Sequence, residues 1–581
     1  MKKKLHLLLC ALLTISSLAA QTNILLTNPL AESILLGDYN PADYVPDVVI
    51  DQPETIVTDL VNELSPENFK NCLIEMSVFD NRNTGSDTTS TTTGIGAARV
   101  WAHQKFNAFN ADNGDRLIVS YLQFDQAICE MNRHKNILAV LPGVGPQHEE
   151  IILVEAHFDS RCKDLCDGDC QAHGMEDNGS GSALVLELSR VMSRYTFNRT
   201  IVFMLTIGEE QGLFGAAAFA EYCENKGVQI HAVLNNDIVG GIACGETASP
   251  PGCPGLNDID SINVRLYSFS SFNSPHKSLA RFVKLEYQEN LRAQLSVKPI
   301  INIMSGEDRT GRGGDHIPFR QKGYAAVRFT SANEHGDAGV SDPEYHDRQH
   351  TEDDILGIDT DGDQILDSFF VDFNYLYRNA LLNGNAAAMA AIGPITPNLV
   401  SAAPLGPGLK IVFDDPNDYG IYRVGVRSVS NDFDSVYTIT QTEATITGLS
   451  LGQPYFVSVA TVDDQGIESL FSNELVSFSS VSTGKSIADR KIELLQNRPN
   501  PFDDQTSIGV WVEQPFSFQS AEIRVSDSKG AALYRTPITL KQGMNEIWYN
   551  HDHHRHQNGI LYYSLYIDGK LFGTKSMIYA Y

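Results

Sequence analysis

Two adjacent carboxylates, Glu209 and Glu210, follow the apolar run 199–207 and precede the glycine-bounded phrase 211–215. A β-branched, apolar run that ends at a glycine is typical of a buried parallel strand. Adjacent residues that leave a strand can point in different directions, so one carboxylate can hold a metal while its neighbour handles a proton. That division suits hydrolysis by a metal-activated water. Alone, such a pair is more often a solvated loop charge, and the interpretation depends on the residues around it.

Five side chains of the types that bind zinc stand at strand ends or turns, each in a short polar phrase. A single histidine or aspartate at such a position is more often an ordinary polar cap, so the metal interpretation depends on the whole set. Five ligands are too many for one tetrahedral ion, but they suit two ions that share a carboxylate and lie roughly 3.5–4 Å apart. The predicted ligands are His157, Asp177, Glu210, Asp237 and His350.

Position along the chain predicts further roles for the residues of these phrases. Asp177 lies at a glycine-flanked turn before a predicted helix and is the best placed of the five to be shared by two ions. Asp159 is two residues from His157, close enough to orient its imidazole ring. Glu209 then remains as the carboxylate that accepts a proton from water and returns it to the leaving amine.

The segments that must position these residues alternate between strand and helix patterns. The sequence therefore predicts an α/β domain with a mixed central β-sheet flanked by helices. Most of the polar phrases follow the carboxyl ends of strands, where α/β folds build their sites. The predicted strands are 136–143, 151–156, 199–207, 230–234 and 324–329, and the predicted helices are 68–76, 96–110, 180–195, 214–225 and 374–392.

Six polar phrases occur in a fixed order, at 156–159, 176–181, 208–215, 236–240, 314–316 and 350–354. Together they resemble the bacterial leucyl aminopeptidase family of dinuclear zinc exopeptidases, over roughly residues 65–392. The resemblance implies the zinc exopeptidase fold, peptide substrates, and Glu209 as general base with Asp159 supporting His157. The implied ligands are His157 and Asp237 for one zinc ion, Glu210 and His350 for the other, and Asp177 as the bridge.

The sequence departs from the family pattern at two places, and two other functions compete with the peptidase interpretation. A cysteine-rich insertion occupies residues 160–176, and Gly314 stands where the family usually has serine. A glutaminyl-cyclase-like acyltransferase would share the fold but uses one zinc ion and typically loses the Asp-Asn-x-Ser-Gly phrase, which is intact at 177–181. A non-catalytic surface protein on the same scaffold, as in the transferrin receptor, is disfavoured because the ligands and Glu209 are present.

Length and charge exclude some classes of protein. A chain of 581 residues is too long for one hydrophobic core, so several domains are expected. The formal net charge is −29, from 43 basic and 72 acidic side chains. Nucleic acid is therefore a disfavoured partner, because phosphate binding requires a basic face. No internal run is long and apolar enough to predict a transmembrane segment.

The N-terminus predicts export. Residues 1–20 are typical of a signal peptide, with three lysines before a short apolar stretch and small residues at its end. Residues 21–64 are polar and contain four prolines, which predicts an extended lead-in or pro-segment before a catalytic domain at 65–392.

Eight cysteines remain after the signal peptide, and an even number in an exported chain favours disulfides. Sequence does not determine their connectivity, although spacing favours Cys244 with Cys253 as a local pair. Cys162, Cys166 and Cys170 stand among aspartates at four-residue intervals. This pattern allows a small metal site but favours a disulfide-stapled insertion.

The C-terminal third predicts two all-β sandwich domains. Residues 393–480 have short alternating segments between turn residues, and Leu449 followed six residues later by Tyr455 suggests a tyrosine corner. This domain resembles a fibronectin type III module. After a linker at 481–491, the domain 492–581 contains phrases at 495–502, 543–545 and 558–562 that resemble the C-terminal sorting domain of the Bacteroidetes type-nine secretion system. That resemblance implies the outer-membrane secretion machinery as a partner, and a secreted or cell-surface location after export across both membranes.

An acidic segment near the end of the catalytic domain predicts a second kind of metal site. Asp359, Asp361, Asp363 and Asp367 offer oxygen ligands at alternating positions, as calcium loops do. The segment lacks the glutamate of an EF-hand and resembles the calcium loops of thrombospondin type-three repeats. A solvated acidic turn is the alternative.

Overall fold

The computed structural model describes most of the chain. The predicted signal peptide 1–20 and the predicted linker 481–491 lie outside the described residues. The described residues are 21–244, 258–269, 274–308, 313–333, 348–428, 430, 432–450, 454–478, 492–498, 500, 502, 505–513, 517–527, 530–551 and 559–579.

Several helices of the described chain begin where the sequence supplies a cap or a proline. The Ser65 hydroxyl accepts a hydrogen bond from the Asn68 N–H at the start of one helix, and Asp372 caps another through the Tyr375 N–H. The helices are α1 (Pro29–Leu35), α2 (Pro53–Glu63), α3 (Pro66–Ser77), α4 (Gly94–Asp112), α5 (Gly181–Met192), α6 (Phe214–Lys226), α7 (Pro275–Glu286), α8 (His316–Gln321) and α9 (Phe373–Ile392).

A central sheet of the catalytic domain organises these helices. Its strands in chain order are β1 (Thr22–Leu26), β2 (Ile118–Ile128), β3 (Met131–Leu141), β4 (Glu150–His157), β5 (Thr200–Thr206), β6 (Gln229–Asn236), β7 (Asn263–Tyr267), β8 (Ile300–Ile303) and β9 (Ala326–Ser331). Their spatial order is β1-β2-β3-β5-β4-β6-β9-β7-β8. β5, β4, β6 and β9 run parallel, whereas β3 joins β5, and β7 joins β9, in antiparallel fashion.

Helices cover this sheet in two groups. α5 and α9 pack together against β4, while α6 and α8 pack together and contact β3 and β6. The central strands β4 and β5 are buried almost throughout, because helices leave no face of them in water. The predicted mixed sheet flanked by helices is therefore confirmed.

The segment 21–64 differs from the extended lead-in that its composition predicts. β1 pairs with β2 at the edge of the central sheet, and α2 packs against α9 with Ile56 and Leu60 fully buried. The prolines predict extended chain, but Pro29 and Pro53 each lie in the first turn of a helix. An N–H at that position has no intrahelical partner, so its absence in proline does not destabilise the helix. The segment therefore packs against the predicted catalytic domain instead of extending away from it.

Two all-β units follow, as predicted. The first contains β12 (Asn398–Pro404), β13 (Leu409–Asp414), β14 (Ile421–Arg427), β15 (Ser435–Ile439), β16 (Glu443–Ile446), β17 (Pro454–Val462) and β18 (Leu475–Phe478), after the short hairpin β10 (Gly357–Ile358) and β11 (Ser368–Phe369). Its sheets, β12-β13-β16 and β15-β14-β17-β18, share one apolar core. The Tyr455 hydroxyl accepts a hydrogen bond from the Ser450 N–H at 2.8 Å, which is the contact of a tyrosine corner.

The last unit has the same arrangement. Its sheets, β19-β20-β23 and β22-β21-β24-β25, enclose a separate apolar core. The strands are β19 (Ile492–Leu494), β20 (Gln505–Val512), β21 (Ala521–Asp527), β22 (Ala532–Ile538), β23 (Gly543–Asn550), β24 (Gly559–Ile567) and β25 (Lys570–Tyr579).

A buried ion cluster joins the catalytic domain to the first sandwich. The Glu474 carboxylate lies 2.9 Å from the guanidinium of Arg281 on α7 and accepts two hydrogen bonds from Arg427 on β14, at 2.7 and 2.6 Å. These side chains are at most 1% exposed.

Among the described helices, none has both the length and the apolar character needed to cross a bilayer.

Candidate metal centre

Three neighbouring parallel strands bring the predicted residues to one edge of the sheet. His157 is the last residue of β4, Asp237 directly follows β6, and Glu209 and Glu210 follow β5 after a short turn. In the sheet register, His157 of β4 stands beside Thr206 of β5. Because carboxyl ends of parallel strands meet at one edge, residues far apart in sequence share a single site.

Asp177 reaches the same edge from a tight helical turn, Met175–Ser180, that precedes α5. The Asp354 carboxylate accepts hydrogen bonds from the N–H groups of Glu176 and Asp177, at 2.9 and 3.0 Å. Burial of this carboxyl, aided by nearby Glu176, raises the pKa of Asp354 to about 8. The loop that carries His350 therefore also holds the turn of Asp177, a role that the sequence analysis did not assign to Asp354.

The five predicted ligands converge, with Asp177 at the centre. Its Oδ1 lies 3.0 Å from Nε2 of His157, and its Oδ2 lies 3.0 Å from Nε2 of His350. Asp237 Oδ1 lies 3.5 Å from the same nitrogen of His157, and Glu210 Oε2 lies 3.3 Å from that of His350. The side chains thus form two groups, one around each imidazole, joined by the Asp177 carboxylate.

Asp159 lies beside His157 and also contacts the turn of Glu209 and Glu210. The Nδ1 of His157 lies 3.0 Å from the main-chain oxygen of Asp159 but 3.7 Å from its carboxylate. That carboxylate instead accepts hydrogen bonds from the N–H groups of Glu209 and Glu210, each at 3.3 Å, and from the Thr84 hydroxyl at 3.2 Å. Asp159 therefore orients His157 through its carbonyl and holds the Glu209–Glu210 turn through its side chain. Sequence spacing allowed either contact.

Glu209 is half-buried beside the two groups. Desolvation raises the pKa of its carboxyl well above the usual range, and the nearby carboxylates of Asp237, Glu210 and Asp315 raise it further against the opposing effect of His157. A carboxyl group with a raised pKa is a better proton acceptor than an ordinary carboxylate, which suits a role in proton transfer. The geometry therefore permits the proton-transfer role predicted for Glu209.

The donor set fits a divalent cation. Glu210 Oε1 is buried and has no hydrogen-bond partner among the described residues, an arrangement that costs free energy unless a cation binds there. Burial opposes a charged His157, yet the surrounding carboxylates of Asp237, Glu209, Asp159 and Asp177 together outweigh burial and raise the pKa of its imidazole. Buried oxygen and imidazole donors that together favour positive charge match the preference of zinc.

Two arginines that the sequence analysis missed touch the ligands. Arg161 donates a hydrogen bond to Glu210 Oε2 at 2.7 Å, and its Nη2 lies 2.7 Å from Nδ1 of His350. Arg328 on β9 contacts Asp237. The position of Arg161 at the start of the cysteine-rich insertion was the one sequence feature that could have indicated its contact with the ligands. Arg328 lies inside an apolar strand pattern, which gives no indication of such a contact.

Disulfides staple the cysteine-rich insertion, as predicted. Cys162 pairs with Cys170 inside it, and Cys166 pairs with Cys129 at the end of β2. Cys72 and Cys223 are buried free thiols, so not every cysteine after the predicted signal peptide is paired. Cys244 is disulfide-bonded, and its predicted partner Cys253 lies outside the described residues.

The acidic segment forms the turn between β10 and β11. Carboxylate oxygens of Asp359, Asp361 and Asp367 lie within 4.8 Å of one another, and Asp363 is not part of this group. Asp363 instead caps its own turn by accepting a hydrogen bond from the Ile365 N–H at 2.8 Å. Three of the four predicted calcium ligands therefore come together.

Imidazoles and carboxylates that converge at the carboxyl edge of a mixed sheet suit a metal-dependent hydrolase. Residues 136–367 match the family described as Peptidase family M28. A probable zinc metalloprotease of Pyricularia oryzae is 31% identical over 370 residues, which cover 61% of this chain and 70% of the relative. The chain belongs to peptidase family M28 and is a zinc-dependent hydrolase.

Solved structures with a similar catalytic domain have different activities. The LapA aminopeptidase of Legionella pneumophila aligns with a TM-score of 0.40 at 19% identity, covering 60% of this chain and 78% of LapA. The glutaminyl cyclase of Porphyromonas gingivalis aligns with a TM-score of 0.36 at 15% identity, covering 56% of this chain and 98% of the cyclase. Likenesses at this level do not decide between the two activities.

Proposed function

We propose that the protein is a secreted aminopeptidase that uses two zinc ions to hydrolyse the N-terminal peptide bond of peptides. The observation that supports two ions is the position of Asp177, whose two carboxylate oxygens each lie 3.0 Å from a different imidazole. A carboxylate that faces one histidine with each oxygen suits a bridge between two ions. His157 with Asp237 would hold one ion, and His350 with Glu210 the other.

Residues around the ions would transfer the proton and hold the reacting groups in position. When bound, zinc supplies a Lewis acid that lowers the pKa of water and polarises a carbonyl. Glu209, whose carboxylate is not a ligand, accepts the proton of the water and returns it to the leaving amine. Asp159 keeps Glu209 and Glu210 in place through their N–H groups.

The acidic surroundings support a preference for a free α-amine. Burial raises the pKa of Glu209 well above the usual range and raises the pKa of Asp315 to about 7. In both groups neighbouring carboxylates add to the shift. A site that crowds carboxyl groups in this way favours a positively charged group from the substrate. The α-ammonium of a peptide meets that requirement, which limits cleavage to the first residue.

The first test compares substrates and metal content on one purified preparation of the full chain. We expect about two zinc ions per chain, hydrolysis of aminoacyl-nitroanilides, and loss of that activity on chelation with recovery on adding zinc. The N-acetylated nitroanilides are the matched control, and they are expected to remain uncleaved because they lack the α-amine.

Other outcomes separate the competing functions. Cyclisation of an N-terminal glutamine without nitroanilide hydrolysis, with one zinc ion per chain, would instead identify a glutaminyl cyclase. Metal binding without turnover of either substrate would identify a non-catalytic scaffold. Hydrolysis of the N-acetylated substrate would contradict the proposed N-terminal specificity.

The proposed location rests on the flanking segments. Two disulfides are typical of an oxidising compartment. The proposed fibronectin type III-like domain would act as a spacer, and the proposed sorting domain 492–581 would be recognised by the outer-membrane secretion machinery and then removed. Protein recovered from the culture medium or cell surface is expected to begin after residue 20 and to lack the last domain by intact-mass analysis, whereas a full-length intracellular chain would contradict this proposal.

Calcium binding at the turn between β10 and β11 stays a prediction. The grouping of Asp359, Asp361 and Asp367 supports it. Calcium titration of chelator-treated protein, followed by thermal unfolding, is expected to raise the unfolding temperature, and an unchanged temperature would favour a solvated acidic turn.

A further inference from the structure

Arg328 binds the main chain and the side chain of Asp237 at once. Its Nε donates a hydrogen bond to the Asp237 main-chain oxygen at 2.6 Å, and its Nη2 lies 3.2 Å from Asp237 Oδ2. Arg328 is a residue of β9, which pairs with β6 at the point where Asp237 leaves that strand. The guanidinium therefore fixes both the backbone and the carboxylate of this residue.

The guanidinium is itself held in place by a loop before α8. Its Nη1 donates hydrogen bonds to the Asp308 carboxylate and, at 2.8 Å, to the main-chain oxygen of Gly313. Arg328 is 2% exposed and Asp308 is 6% exposed. Buried charge-assisted hydrogen bonds of this kind are strong and directional, so the orientation of Arg328 is well determined.

The two carboxylate oxygens of Asp237 therefore have different contacts. Oδ2 is taken by Arg328, while Oδ1 points to His157, 3.5 Å from Nε2. We propose that Arg328, braced by Asp308, is a positioning residue that presents Asp237 Oδ1 to one of the two metal ions. The inference rests on the proposed two-zinc function.

A different arginine contacts the other metal position. Arg161 binds Glu210 through Oε2, the same oxygen that faces His350, and the Arg161 side chain is 11% exposed on the stapled insertion. Arg161 leaves Glu210 Oε1 without a hydrogen-bond partner among the described residues, just as Arg328 leaves Asp237 Oδ1 open, but the two ligands are held by different arginines. The two positions are therefore expected to respond differently to loss of Arg328.

The test measures zinc release from the purified full-length holoenzyme against graded chelator concentrations, with no activity readout. In Arg328→Met we expect one of two zinc ions to be released at roughly 10–100-fold lower chelator, the usual cost of losing a residue that orients a ligand. The second ion is expected to behave as in the unmodified protein. Arg328→Lys keeps the charge but cannot span Asp237 and Asp308, so it is expected to shift release of the same ion.

A matched control comes from the neighbouring ion pair on the same loop. Glu307 accepts two hydrogen bonds from Arg320, at 2.6 and 3.0 Å, and within the described part of the chain neither residue hydrogen-bonds to Asp237. Glu307→Gln is expected to leave release of both ions unchanged, whereas Asp308→Asn weakens the brace of Arg328 and should shift one ion in the same direction as Arg328→Met.

The outcomes distinguish this inference from the proposed function. If Arg328→Met fails to fold, Asp308→Asn and Arg328→Lys still decide the question, because wild-type release of both ions in either would overturn the inference. Equal weakening of both ions, or a shift in Glu307→Gln, would also overturn it by indicating a general structural effect. Fewer than two zinc ions in the unmodified protein would overturn the proposed function itself, and the inference with it.

Discussion

Replacing Asp177 with asparagine is expected to remove zinc from both positions of the site and to abolish peptidase activity. Asp177 is 6% exposed and faces an imidazole with each carboxylate oxygen. Loss of its charge leaves the two ions without the anion between them. Removing one partner of a buried charge pair costs roughly 3–5 kcal/mol, which corresponds to roughly 10²–10⁴-fold weaker zinc binding. Metal analysis after dialysis, together with nitroanilide hydrolysis, measures both effects.

A nearby aspartate provides the control for this change. Asp353 is exposed, and it lies in the loop that carries His350 without contacting the ligands. Asp353→Asn should keep both the zinc content and the activity. If Asp177→Asn retained two zinc ions with unchanged affinity, Asp177 would not be the bridge.

The second large effect is expected at Glu209. Glu209→Gln keeps the size of the side chain but removes the group that accepts a proton, so we expect kcat to fall by roughly 10²–10⁴-fold, the usual contribution of general acid–base catalysis. Zinc content should stay unchanged, since Glu209 is not one of the converging ligands. Steady-state kinetics and metal analysis on the same preparation separate the two properties.

The adjacent residue is the matched control for Glu209. Glu210→Gln changes the same functional group one position along the chain, but Glu210 Oε2 lies 3.3 Å from His350 in one of the two groups. This variant is therefore expected to lose zinc, whereas Glu209→Gln loses turnover alone. Full activity in Glu209→Gln would show that another group accepts the proton.

Strand and helix periodicity accounts for much of what the sequence predicted correctly. The central strands β4, β5 and β6 are continuous apolar runs, and such runs predict buried parallel strands from local composition alone. Strands β2, β7 and β8 are not predicted from the sequence: β7 and β8 are only five and four residues long, and β2 mixes apolar and polar residues instead of forming a continuous apolar run. The prolines of the segment 21–64 predict extended chain by composition, but proline is also common in the first turn of a helix.

The same limit applies to the supporting residues of the site. Asp354, Arg161 and Arg328 act on ligands that are 177, 49 and 91 positions away in the chain. No local pattern marks a residue whose partner is brought to it by sheet pairing. Asp159 shows the limit at short range, since its spacing from His157 predicted a contact but not which oxygen makes it.

The sequence by itself determined which side chains could hold metal and move a proton, because the type of each residue and its place at a strand end are local properties of the chain. Only the tertiary structure decided how those side chains are used: that Asp177 faces His157 with one oxygen and His350 with the other, that Arg328 takes one oxygen of Asp237, and that β1 belongs to the catalytic sheet. The physical reason is that coordination and ion pairing act over a few ångströms, and that proximity between distant residues is set by the packing of the whole sheet.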